Sequence, residues 1–296
     1  MTSLFYRGYL GKQPSFHGSF MLVTISLNLS LEHIKFDLGL FLFIEFLNYI
    51  LIITYSSKKY MKTDILKDLR RELKQNTDAK TLEIGQRFFK EKIKFYGVKS
   101  NIMAQIGKKY FNEIKSKSKK EIFFLCEELF KTDYNEEAWI ACDWVYAERK
   151  YFKPEDFAIF ERWIEKYVNN WAKCDTLCNH TVGEFIEKYP EFIKNLKIWT
   201  KSKNRWLRRA STVALILPAR KGLFLEDIFK IADILLKDQD DLVQKGYGWM
   251  LKEASKPYQT EVFDYIMKNK KGMPRTALRY AIEKMPKDLR AKAMEK

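Results

Sequence analysis

Cys174, Cys178 and His180 form the only cluster of metal-ligand residue types in the sequence. The two thiols share one helix face at i, i+4, whereas zinc sites pair their ligands more closely, as C-x-x-C or matched His pairs. Two core thiols and a polar cap explain the cluster, so no metal or other cofactor is expected. His180 is the only histidine after His33, and no motif surrounds it that would make it the base of a Ser-His-Asp relay. Dinucleotide (GxGxxG), Walker, HExxH and GxSxG segments are missing from the sequence. Any reaction here has to run on carboxylates, aromatic faces and fixed cations.

The elements that would position such groups read as helices. The chain has 296 residues, 46% hydrophobic and 31% charged, with only 12 Gly and 7 Pro. So few turn formers favour long helices with short connections over many strands. Ile65, Leu66, Leu69 and Leu73 recur at helical spacing. Further helices are predicted over 84–96, 102–114, 119–130, 136–149, 154–169, 174–188, 190–201 and 205–217, then 226–236, 240–255, 258–268 and 275–284. Pro154 with Glu155 and Asp156, Pro190 with Glu191, and the pair Asp240-Asp241 mark first turns by fixed φ or by negative charge at the positive end of the dipole. The expected class is all-α. Helices arrive in pairs roughly every 35–45 residues, as in stacked two-helix repeats, and such a solenoid has a concave face suited to an extended ligand.

The formal net charge is +16, and the excess lies in residues 61–296 and not in a basic tail. A concave face with that field suits a polyanion such as duplex nucleic acid. Residues 1–60 read differently. Residues 38–55 are apolar apart from Glu45 and Asn48, at the lower limit of length for a membrane anchor, and a mid-span carboxylate is costly. An upstream extension read from an early start is the alternative, because Met61 directly precedes an amphipathic helix. Two segments are therefore expected, an atypical hydrophobic extension at 1–60 and the functional body at 61–296. Four Cys in so long a chain suggest reduced, mostly buried thiols in a cytoplasmic protein, and a monomer is expected.

Six segments carry a resemblance. They are Phe95-Tyr96-Gly97-Val98, Asn169-Asn170-Trp171-Ala172-Lys173-Cys174-Asp175, and Cys178-Asn179-His180-Thr181-Val182-Gly183, followed by Arg205-Trp206-Leu207-Arg208-Arg209-Ala210, the stretch from Val243 to Glu253, and Arg279-Tyr280-Ala281-Ile282-Glu283-Lys284. Over residues 62–290, in order and with matching spacing, they resemble the DNA alkylation repair enzymes of the AlkD type. That resemblance implies a HEAT-like helical repeat solenoid with a concave basic face. It also implies a DNA glycosylase that releases N3- and N7-alkylated purines from double-stranded DNA, with no cofactor. Carried over by motif, Trp171 and Asp175 match the W-x3-D pair, Arg209 the Arg of W-L-x-R-A, and Trp249 the Trp of Q-K-x-x-G-W. Phe88 stands where the family pattern has Tyr, so a hydroxyl is missing.

The residue types suit that reaction. A cationic base leaves neutral and needs little acid catalysis, while positive charge develops on the sugar. Asp175 is expected to stabilise that charge and orient water, with Trp171 and Trp249 presenting electron-rich faces. Arg209 is expected at a phosphate near the lesion, and Arg205, Arg208, Lys245, Arg275 and Arg279 at neighbouring phosphates. Blander readings stand beside these. Asp175 also fits a helix N-terminal charge, and a Trp is more often core than site, which is the expectation for Trp139, Trp144, Trp163, Trp199 and Trp206. A non-catalytic DNA-binding repeat and a protein scaffold are the competing functions.

Overall fold

The computed structural model describes residues 44–47, 65–90 and 92–295. The chain divides into two compact units, Met1–Tyr55 and Ser56–Lys296. Of the first, one helical turn at 44–47 is described. The stretch 38–55, weighed above as an anchor, otherwise lies outside the described residues. Among the described residues no helix is long and apolar enough to cross a membrane.

Among the described residues of the second unit every extended element is a helix. They are α1 (65–75), α2 (Ala79–Phe88), α3 (Ser100–Ile114), α4 (Lys119–Phe130), α5 (Asn135–Ala147), α6 (Asp156–Tyr167), α7 (Trp171–Thr176) and α8 (Gly183–Lys188). Then follow α9 (Ile193–Trp199), α10 (Arg205–Val213), α11 (Ile216–Arg220), α12 (Leu225–Leu235), α13 (Asp241–Ala254), α14 (Gln259–Asn269), α15 (Arg275–Ile282) and α16 (Lys287–Met294). The architecture is all-α, a helical repeat stack. One row runs α5 on α7, α7 on α10, α10 on α13 and α13 on α15. Behind it α4 packs on α6, α9 on α12 and α14 on α16. Helix starts are fixed by side chains that accept from otherwise unpaired amides, including a Ser118–Glu121 capping box on α4 and Asp240 on α13. A continuous apolar core fills the space between the rows, with Trp144, Trp163, Trp199 and Trp206 buried in it as expected. Trp139 is not; it is only partly buried.

Three segments depart from helical periodicity. The helix expected over 84–96 ends at Phe88, and from there to Val98 the described residues carry no regular structure, touching their neighbours at Thr77 and Tyr134 through isolated bridges. The buried Glu136 carboxylate holds the end of this stretch, accepting from the amides of Tyr96 (3.1 Å), Gly97 (2.8 Å) and Val98 (3.3 Å). Amides gathered on one carboxylate cannot also serve an i→i−4 ladder. Gly97 sits at φ +84°, and a Cβ there would lie 2.6 Å from Leu82 Cβ, so the turn accepts only glycine. The stretch expected as one helix over 174–188 starts earlier, at Trp171, and passes through a π-helical segment, Leu177–Val182. That expected over 205–217 breaks between α10 and α11.

Gly97→Ala should therefore cost about 1–3 kcal/mol of stability, from the strained φ and the Leu82 clash together. Urea unfolding of the full chain measures it, and a loss below a few tenths of a kcal/mol would contradict this account of the turn.

Candidate active site

The site begins with how α7 is pinned. Asn170 accepts from the Lys173 amide (3.0 Å) and donates to Asn135 Oδ1 (3.0 Å), tying the first turn of α7 to that of α5. The buried Lys173 ammonium reaches Asp133 Oδ1 (2.6 Å), the Asp133 carbonyl (3.1 Å) and Asn169 Oδ1 (3.1 Å). Burial lowers the Lys173 pKa and Asp133 opposes that shift. With its start fixed in this way, α7 presents Trp171 and Asp175 one turn apart on the same side. The π segment follows Asp175 almost at once, a local widening that often accompanies functional sites.

Asp175 is held from α10. Arg209 Nε donates to Oδ1 at 2.8 Å and Nη2 to Oδ2 at 2.7 Å, while Nη1 donates to the Leu242 carbonyl at the start of α13. Side-chain exposure is 6% for Arg209 and 15% for Asp175. Gly246 allows this closeness, since a Cβ there would sit 2.6 Å from Thr212 Oγ1 and 3.6 Å from Arg209 Cγ. Burial raises the Asp175 pKa above the ordinary carboxylate value, and the Arg209 charge and its hydrogen bonds restrain the rise. The carboxylate is thus poorly solvated and fixed in orientation by a two-point clamp.

Around it lies a cavity of about 340 Å³, lined by Phe88 from α2, Trp171 and Asp175 from α7, Arg209 from α10, and Lys245 and Trp249 from α13. Six of the ten residues singled out from the sequence therefore meet in one place. Leu242 and Tyr280 complete the wall. Tyr280 was passed over in favour of its neighbour Arg279, although both lie in one motif; the phase of α15 places the tyrosine, not the arginine, in the cavity. Phe88 is 67% exposed, with its ring 5.5 Å from that of Trp171, edge to face.

The remaining basic residues lie elsewhere. Arg208 donates to Asp238 (2.7 Å), Arg205 pairs with Asp240 (2.7 Å), and Arg275 is exposed beside the Met294 carbonyl (3.5 Å). Arg279 is exposed and lines a separate cavity with Lys287 and Arg290. Arg209, expected at a phosphate, is instead enclosed, with its guanidinium bonded to Asp175 and Leu242. Lys245, 32% exposed and paired with Asp241 at 3.1 Å, is the other cation of the cavity.

Removing one partner of so enclosed an ion pair leaves an uncompensated charge. Arg209→Met should cost about 3–5 kcal/mol in urea unfolding, and the double variant Asp175→Leu, Arg209→Met should recover most of it. If the single substitution is harmless, the clamp is not structural.

The sequence profile of DNA alkylation repair enzymes matches residues 69–285. No curated protein matches the chain in sequence. Among solved structures, one described as a predicted DNA alkylation repair enzyme from Enterococcus faecalis is similar with a TM-score of 0.65 at 16% identity, over 72% of this chain and 98% of that one. At that identity the likeness speaks for the fold. The match to the profile spans α2, α7, α10, α13 and α15, the helices that line the cavity, and by it this chain belongs to the DNA alkylation repair enzyme family.

Proposed function

We propose that the protein is a DNA glycosylase that hydrolyses the N-glycosidic bond of N3- and N7-alkylated purines in double-stranded DNA. The observation that carries this reading is the Asp175 carboxylate, held at two points by Arg209 in a cavity shared with the indoles of Trp171 and Trp249. Alkylation makes the base a cation, so it departs neutral with the electrons of the C1′–N bond, and positive charge passes to the sugar. Asp175 stabilises that charge and orients a water toward C1′. The water adds its oxygen to C1′, its proton passes by way of the carboxylate to solvent, and the products are a free alkylpurine and an abasic site. Trp171 and Trp249 offer π faces to the same charge, worth roughly 0.5–2 kcal/mol each when desolvated.

Arg209 acts in this reading on Asp175 and not on DNA. Lys245 in the cavity and the exposed Arg279 outside it contact phosphates, with Arg205, Arg208 and Arg275 as further contacts along the strand, and binding weakens steeply with salt. Phe88 supplies an aromatic wall beside Trp171 without the hydroxyl of the family pattern.

The test is release of 7-methylguanine from methylated duplex by the full chain. Wild type should exceed spontaneous loss, and Asp175→Asn should fall by about 10²–10³-fold, as removal of a group that stabilises developing charge does. Release by neither protein would defeat the reading; salt-sensitive DNA binding without release would support a non-catalytic DNA-binding repeat in its place.

The pH dependence follows from the same side chain. The working form is the ionised carboxylate, and burial raises its pKa. Activity should therefore fall on acidification with a midpoint above that of an ordinary carboxyl group, and the limb should vanish from the residual rate of Asp175→Asn. A midpoint at or below the ordinary value would overturn the assignment.

A further inference from the structure

The C-terminal end of the stack is strongly basic. Between Lys268 and Glu295, nine Lys and Arg stand against three Asp and Glu. Three of these cations, Arg279 from α15 and Lys287 and Arg290 from α16, converge on a cleft of about 480 Å³. Its apolar walls are Ile282, Ala291 and Met294, and its one lining carboxylate, Glu283, is already engaged by Lys252 at 3.0 Å and Lys284 at 3.7 Å. What separates this cleft from an ordinary solvated surface is that its cations have no partners. Arg208, Arg209 and Arg220 each meet a carboxylate at 2.7 Å. Among the described residues, the side chains of Arg279, Lys287 and Arg290 have no hydrogen bond or ion pair. The Arg290 Nε atom is buried besides, and an enclosed N–H without an acceptor calls for an explanation. Lys287 opens α16, where a cation opposes the helix dipole. A bound anion would satisfy the donor and relieve the repulsion together. The family profile ends at residue 285, so neither α16 cation belongs to the shared pattern.

We propose that this cleft holds a backbone phosphate of the duplex about three base pairs to one side of the lesion, which adds α16 to the DNA-binding face. Tyr280, the residue after Arg279, lines the cavity of Asp175, so one turn of α15 bounds both sites. A helix is roughly 10–12 Å across and a duplex rises about 3.4 Å per base pair, which sets that separation. Two guanidinium forks and an ammonium suit the oxygens of a phosphodiester, and the apolar wall suits the deoxyribose beside it. The distance from the lesion rests on the glycosylase reading; the charge argument does not.

The full chain is titrated by fluorescence anisotropy, over a range of salt, with a labelled duplex carrying a tetrahydrofuran abasic mimic at its centre. In the double variant Lys287→Gln, Arg290→Gln the slope of log affinity against log salt should become shallower by about one, the value for one phosphate contact. Lys287→Glu should weaken binding about ten-fold, since it turns attraction into repulsion. An acidic residue in the first turn of α16 favours the helix, so that variant keeps its fold, and circular dichroism confirms it. An equal loss of charge on α6 and α9, Lys166→Gln with Lys194→Gln, should leave slope and affinity unchanged. With the mimic about two base pairs from one end the phosphate is missing, and for one of the two ends wild type and double variant should then bind alike. A wild-type slope in the double variant, the same loss in the α6 and α9 control, or a difference that persists with the mimic near either end overturns the proposal. Inorganic phosphate is the second probe: if it binds wild type and not the double variant while both bind duplex alike, the cleft is a free-anion site and the proposal falls. The two readings fail separately. If the double variant keeps the wild-type slope while wild type releases 7-methylguanine, the cleft is wrong and the glycosylase stands; if wild type releases nothing but its slope exceeds that of the double variant, the glycosylase falls and the phosphate contact stands.

Discussion

Removing the Asp175–Arg209 pair from water is the constraint around which the rest of the fold is arranged. Two nearly enclosed charges each carry a desolvation cost of several kcal/mol, which their attraction offsets only when the geometry is close to ideal and the leftover donors are satisfied. Here both guanidinium edges are occupied, one by the carboxylate and the other by the Leu242 carbonyl. That demand fixes three helices at once. α7 must present Asp175, α10 must present Arg209 at the right height, and α13 must start close enough for a backbone oxygen to reach in, which is where the bare Cα of Gly246 matters. The Lys173–Asp133 and Asn170–Asn135 contacts then hold α7 so that the pair does not drift.

A polar arrangement of this kind is a poor source of stability and a good source of precision. Satisfied buried networks resist alternatives, because every small displacement leaves a donor or an acceptor bare in a low-dielectric setting. The apolar core, continuous from α1 to α16, supplies the free energy that the network does not. The result is a carboxylate whose direction is set by the body of the protein rather than by its own rotamer preferences.

Much of this was readable in the sequence, and the parts that were not have physical causes. All-helical class and most helix positions follow from periodicity and capping residues, which are local. Trp171, Asp175, Arg209 and Trp249 came from matched motifs, Phe88 from a departure from the family pattern and Lys245 as a nearby cation, and the fold brings those six into one cavity. Arg209 was misjudged because a sequence shows a cation but not what encloses it; its partner is 34 residues away in the chain. The 84–96 segment has a helical apolar rhythm, while the carboxylate that holds the amides at its far end belongs to α5. Trp139 was expected in the core, and it packs against the core only partly buried. Long-range partners are what a linear reading misses.

The widened turn of Leu177–Val182 also separates two jobs that one helix would otherwise have to perform with a single angular phase. Each residue of an α-helix advances its side chain by about 100°, so one residue more or less rotates everything beyond it by that amount. With a regular helix from Trp171 to Lys188, the direction of Asp175 would dictate which residues of α8 meet the core. The wider turn releases that coupling, letting Phe185 and Ile186 stay fully enclosed while the residues before it face the cavity. Sequence drift in the half that packs can then proceed without swinging the half that reacts.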